Sequence, residues 1–68
     1  EDNFVNLTIF NLAGKKIKTL LNKSMVTGFR SVRWRGLDEQ YQPVSTGVYL
    51  CVLQAGNFRE TKKIILLK

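Results

Sequence analysis

The stretch Ser45 to Gln54, S-T-G-V-Y-L-C-V-L-Q, constrains the fold more than any other part of the chain. Val48 to Ala55 is the longest apolar run in mid-chain, and it is rich in β-branched and aromatic residues. A Ser/Thr/Gly cluster bounds it on one side and Ala55-Gly56-Asn57 on the other. Such a run predicts a central strand, with Gly47 closing the turn that precedes it. A central strand needs neighbours on both edges, so the remaining residues must supply further strands. The chain has 68 residues, enough for one domain spanning 1–68. A chain of this size buries only about 60% of its unfolded surface, which leaves little room for a catalytic cleft.

The neighbours are visible as period-two patterns. Phe4 to Phe10, F-V-N-L-T-I-F, places Val5, Leu7 and Ile9 on one face and Asn6 and Thr8 on the other. Asn11 and Gly14 suit a bulged hairpin turn, after which Lys15 to Leu21 is predicted to return antiparallel with Ile17 inward and Lys16 and Lys18 outward. Asn22 to Gly28 is polar and reads as a connection. Phe29 to Trp34 alternates again and is predicted as a strand that carries Trp34 into the core, where an indole can bury about 150–250 Å². Arg35 to Thr46, with the only proline at Pro43, is a loop long enough to suggest a function. Phe58 to Leu67 forms the last strand. It ends Ile64-Ile65-Leu66-Leu67-Lys68, apolar on both faces, so it must be covered twice or await a partner.

Five strands with short turns and no helical periodicity predict an all-β fold, a small antiparallel immunoglobulin-like β-sandwich. About seven strands are usual, so something at one end is expected to be missing. The chain does not begin with Met, and we expect a piece of a longer protein.

Composition narrows the function classes. The single cysteine, Cys51, has no disulfide partner, and without histidine there is no zinc site or catalytic triad. Cys51 reads as a small core hydrophobe. The carboxylates Asp38 and Glu39 are adjacent in a loop and read as solvated turn residues. No cofactor, metal or small-molecule substrate is expected. Lys plus Arg number 11 against 5 Asp plus Glu, a net charge of +6. The cations are scattered along strand-like segments, as on solvated faces, without the interleaved aromatics of a nucleic-acid platform, so nucleic acid is not an expected partner.

Four segments in order carry a family resemblance: V-N-L-T-I-F-N-L-A-G-K-K-I (Val5 to Ile17), G-F-R-S-V-R-W-R-G (Gly28 to Gly36), P-V-S-T-G-V-Y-L (Pro43 to Leu50) and E-T-K-K-I-I-L-L-K (Glu60 to Lys68). Together they resemble the type A C-terminal sorting domain of the type IX secretion system, built on the immunoglobulin-like module also found in the flagellar hook-capping protein. The chain departs from that pattern at Arg35, where an acid or Asn is usual after the Trp. It departs also at Tyr41, where Gly is usual, at Asn11, where Asp is common, and at the start, where the strand that family members usually have before the position of Phe4 is absent, so the resemblance implies a sandwich lacking its first strand.

The resemblance implies a non-catalytic signal on an N-terminal cargo domain, exported through the periplasm and outer membrane of Bacteroidetes-type cells to the surface or medium. The implied partners are outer-membrane components of the type IX machinery. Gly47 and Tyr49, in the G-x-Y element, and Lys62, Lys63, Ile65, Leu66, Leu67 and Lys68, in the terminal element, are the expected partner-binding positions. An open strand edge would also permit self-association. The alternative is a structural immunoglobulin-like spacer or assembly module of a secreted enzyme or a hook-capping protein.

Overall fold

The computed structural model describes residues 2–26 and 33–67. They contain four strands, β1 (Asp2–Asn11), β2 (Lys16–Val26), β3 (Gly47–Ala55) and β4 (Phe58–Leu66). All pairings are antiparallel, in one sheet of order β2-β1-β3-β4. The fold is all-β and compatible with an immunoglobulin-like architecture. As its composition requires, β3 is central, paired with β1 on one side and β4 on the other.

The register sorts side chains onto two faces, because paired residues point the same way and neighbours along a strand point oppositely. Ile9, Cys51, Leu53, Tyr49, Ile64 and Leu66 share one face, which we call the loop face. Asn6, Thr8, Phe10, Val48, Leu50, Val52, Lys63 and Ile65 share the other, the outer face. Ile9 and Tyr49 are the most buried apolar residues, at 1% and 5% exposure. Thr8, on the opposite face, is buried as well, because it sits mid-sheet between Thr19 and Val52. Its hydroxyl donates to Asn6 Oδ1 at 2.7 Å, which satisfies the group in place of water.

Both hairpins follow local chemistry. In the first, Asn11 N donates to Lys15 O and Asn11 Oδ1 accepts from Lys15 N, while Gly14 takes φ 87°. The second is a two-residue turn with Gly56 at φ 60°, a conformation that suits glycine at the first central position.

Several expectations need correction. The polar connection expected from Asn22 is instead strand through Val26, because β1 begins at Asp2 and offers ladder partners to the end of β2. Two register shifts in the β1–β2 ladder move Lys18 opposite Ile9, onto the loop face rather than outward. The same shifts leave Ile17 half-buried at an irregularity. Most of the strand expected over Phe29 to Trp34 lies outside the described residues, and the described part, 33–34, is not strand. The described residues therefore carry four strands rather than five.

The second layer over the loop face is the ordered segment 34–46. Trp34, half-buried, meets Tyr49 edge-on with ring centroids 5.2 Å apart, and its Nε1 donates to Leu37 O at 2.9 Å. Asp38 organises the turn: its Oδ1 accepts from Gln40 N and Gln42 N, both at 2.9 Å, and its backbone exchanges bonds with Gln42 and Tyr41. Tyr41 takes φ 63°, a left-handed conformation at the position where the resembled family has glycine. Asp38 is thus a structural residue rather than a merely solvated one.

Candidate functional site

β4 closes one side of the sheet. It pairs with β3 in unbroken register over nine residue pairs, from Gly47–Leu66 to Ala55–Phe58. Among the described residues nothing pairs with its other edge. A regular strand with unpaired backbone donors and acceptors is a template for an added strand.

The sequence-expected positions divide between display and support. Ile65 is 67% exposed on the outer face, and Leu67, just past the strand, is 79% exposed. Lys62 and Lys63 are exposed on opposite faces, the former 4.0 Å from Glu60 Oε2. Lys68 lies outside the described residues. Tyr49 is buried, its hydroxyl donating to Ser45 O at 2.6 Å, so it anchors the segment leading into β3. This tether of a tyrosine to upstream backbone is a device also seen in immunoglobulin-like sandwiches. Gly47 has φ 158°, a positive value that L side chains rarely adopt, although a Cβ there would meet nothing within 4 Å. It is the first residue of β3, paired with Leu66, and its positive φ leads the preceding turn into the strand.

Leu66 is half-buried because the covering loop rests on it. A Cβ at Gly36 would lie 3.2 Å from Leu66 Cδ2, and Gly36 itself has φ 74°. Glycine is required there twice over, for the left-handed backbone and for the close approach. Sequence reasoning passed over this residue, since the partner that excludes a side chain lies thirty positions away.

Glu39 was also missed as a contact. Its Oε2 accepts from Thr19 N at 2.7 Å and its Oε1 lies 3.9 Å from Lys18 Nζ, which sits 4.3 Å from the Tyr41 ring centroid. Glu39 is a tether between loop and sheet rather than a solvated turn residue. Cys51 is half-buried on the loop face, paired with Lys62. Burial pushes its thiol pKa up, and the Lys62 ammonium partly offsets this. No group of three or more metal-binding side chains occurs among the described residues.

Geometry of this kind defines a small all-β domain whose core face is covered by a loop and whose β4 edge is unpaired among the described residues. The chain matches the family described as "Secretion system C-terminal sorting domain" over residues 1–67 and belongs to that family. Its members are sorting signals of type IX secretion rather than catalysts. No curated protein and no solved structure matches the chain.

Proposed function

We propose that this domain directs an N-terminally joined cargo protein through the type IX machinery to the cell surface or medium, and that an outer-membrane component of that machinery reads the β4 end. The observation that carries this reading is the unpaired, regular β4 edge, which ends in exposed Ile65 and Leu67 within a chain of the sorting-domain family. Strand addition supplies backbone hydrogen bonds, and alternate side chains supply specificity. Lys62, Lys63 and Lys68 would favour an acidic site, chiefly by speeding encounter. Gly47, Tyr49 and Leu66 act from beneath, by holding β3 and the end of β4 in place.

The test is a pair of exports. Grafted onto a periplasmic reporter in a type IX-competent host, the domain with its native upstream residues should carry the reporter to the surface or medium. Removing residues 67 and 68 should abolish that export while the β circular-dichroism signal persists. A graft that stays in the periplasm, or a truncated tag that is still exported, would contradict the reading.

A further inference from the structure

The outer face carries a second feature, which shares Lys63 and Ile65 with the β4 end and reaches across the sheet to β2. One cross-strand row runs Lys16, Phe10, Leu50, Lys63 through all four strands, and Val48 and Ile65 lie beside it. Four apolar side chains thus form a band with a lysine at each end. With strands spaced about 4.8 Å, the two lysine positions are about 14 Å apart. The charges on the two faces differ. On the loop face, Lys18 and Lys62 each lie within 4.0 Å of a glutamate, Glu39 and Glu60, and Lys23, opposite Val5, is the strand cation there with no carboxylate beside it among the described side chains. On the outer face, Lys16, Lys63 and Arg59 have no carboxylate among the described side chains.

We propose that this band is a docking surface for a partner protein whose contact surface is flat, apolar at its centre and bordered by two carboxylates about 14 Å apart. The proposal rests on the sorting reading above and extends recognition from the β4 edge to β1, β2 and β3. A second copy of the chain is disfavoured, because face-to-face contact would set lysine against lysine. The flush position of the central residues argues against a lipid surface. Phe10, Val48 and Leu50 are half-buried in the sheet, whereas membrane binding needs apolar side chains that reach past the headgroups.

The test uses the domain fused to its cargo and compares two double variants of equal net charge. Lys16→Glu with Lys63→Glu should lower export about tenfold or more with an unchanged melting temperature, and Lys16→Glu alone, which leaves β4 untouched, about threefold, while Lys23→Glu with Arg33→Glu should stay within about twofold of wild type. A loss from the Lys16/Lys63 pair that Lys16→Glu alone does not share would assign the effect to the β4 end and overturn the proposal. Equal losses from both pairs would assign the effect to net charge, and no loss from either would show the face unused. Both results overturn the proposal while wild-type export preserves the sorting reading. Failure of the wild-type fusion to leave the periplasm would overturn both. Binding of the purified fusion to phosphatidylglycerol vesicles that the Lys16/Lys63 pair abolishes would assign the face to a membrane and overturn the protein partner.

Discussion

The two edges of the sheet are built in opposite ways. β2 is interrupted by two register shifts, Thr19 N is taken by the Glu39 carboxylate, and Lys18 is held against Tyr41 and Glu39. Bulges and covering segments of this kind blunt an edge against unwanted pairing. β4 has none of these devices among the described residues: its ladder is unbroken and its outer backbone is free. Its protection is charge, from exposed Arg59, Lys62 and Lys63, which repel an identical strand and attract an acidic one. The contrast is between an edge engaged by the loop at Lys18 and Thr19 and an edge that is unpaired among the described residues.

The 34–46 segment maintains that difference, so the largest effect should come from releasing it. Trp34→Ala removes the ring packed on Tyr49 and the bond to Leu37 O. We expect a loss of about 3 kcal/mol, at the lower end for aromatic truncation because the indole is only half-buried. For a small domain that is most of the stability, and thermal denaturation should show a collapsed or absent transition. Self-association through an unblunted β2, read by sedimentation, should accompany it.

A sharper comparison sets two glycines against each other. Gly36→Ala places a methyl in a left-handed backbone and against Leu66, and should cost about 1–2 kcal/mol. Gly47→Ala meets the backbone strain of a positive φ but no neighbouring atom, and should cost less than Gly36→Ala, about 1 kcal/mol. Urea denaturation of both variants checks the order. Equal costs would show that the loop does not depend on its approach to β4.

Smaller still is the tether on β2. Glu39→Ala removes a hydrogen bond to a carboxylate acceptor, in an exposed setting that screens its strength. A loss of about 0.5–1 kcal/mol is expected. Hydrogen exchange should speed up at Thr19 while amides of the β3–β4 ladder are unchanged.

The least effect concerns Cys51. Because the folded thiol has a raised pKa, it remains protonated where an ordinary thiol ionises. Folded protein should therefore react with iodoacetamide more slowly than unfolded protein near pH 8 to 9. The native state holds its proton more tightly than the unfolded state, so stability should fall as pH rises from the ordinary thiol range through the raised folded value. Lys62→Ala removes the offsetting charge and should slow alkylation further; an unchanged rate would show that Lys62 does not lie against the thiol.

Much of this was legible in the chain because it depends on near neighbours. The alternation of β1, the run of β3, the Asn11/Gly14 turn and the Gly56 turn are local, and each was readable from residues a few positions apart. The order of four weak motifs was enough to suggest the family. β2 beyond Leu21 was hidden because Asn22, Lys23 and Ser24 are polar, and they become strand only because β1 presents Phe4 to Asn6 to pair with them. The internal order of the loop was hidden for a similar reason: Glu39 finds Thr19 and Gly36 finds Leu66 only after the sheet has formed. Of the positions expected to bind a partner, Tyr49 is buried and Leu66 half-covered, so exposure separated display from support in a way that spacing could not.

The most direct measurement of whether the open β4 edge is what the machinery reads uses proline at two successive positions, Thr61→Pro and Lys62→Pro, in an exported cargo fusion. Along an edge strand, successive N–H groups point alternately to the neighbouring strand and to the free edge, so one substitution breaks the β3 ladder and the other removes only a free donor. The ladder variant should lose stability. The free-edge variant should keep its melting temperature within a few degrees and still fail to be exported. A free-edge variant that is folded and exported at the wild-type level would show that the backbone edge of β4 is not recognised.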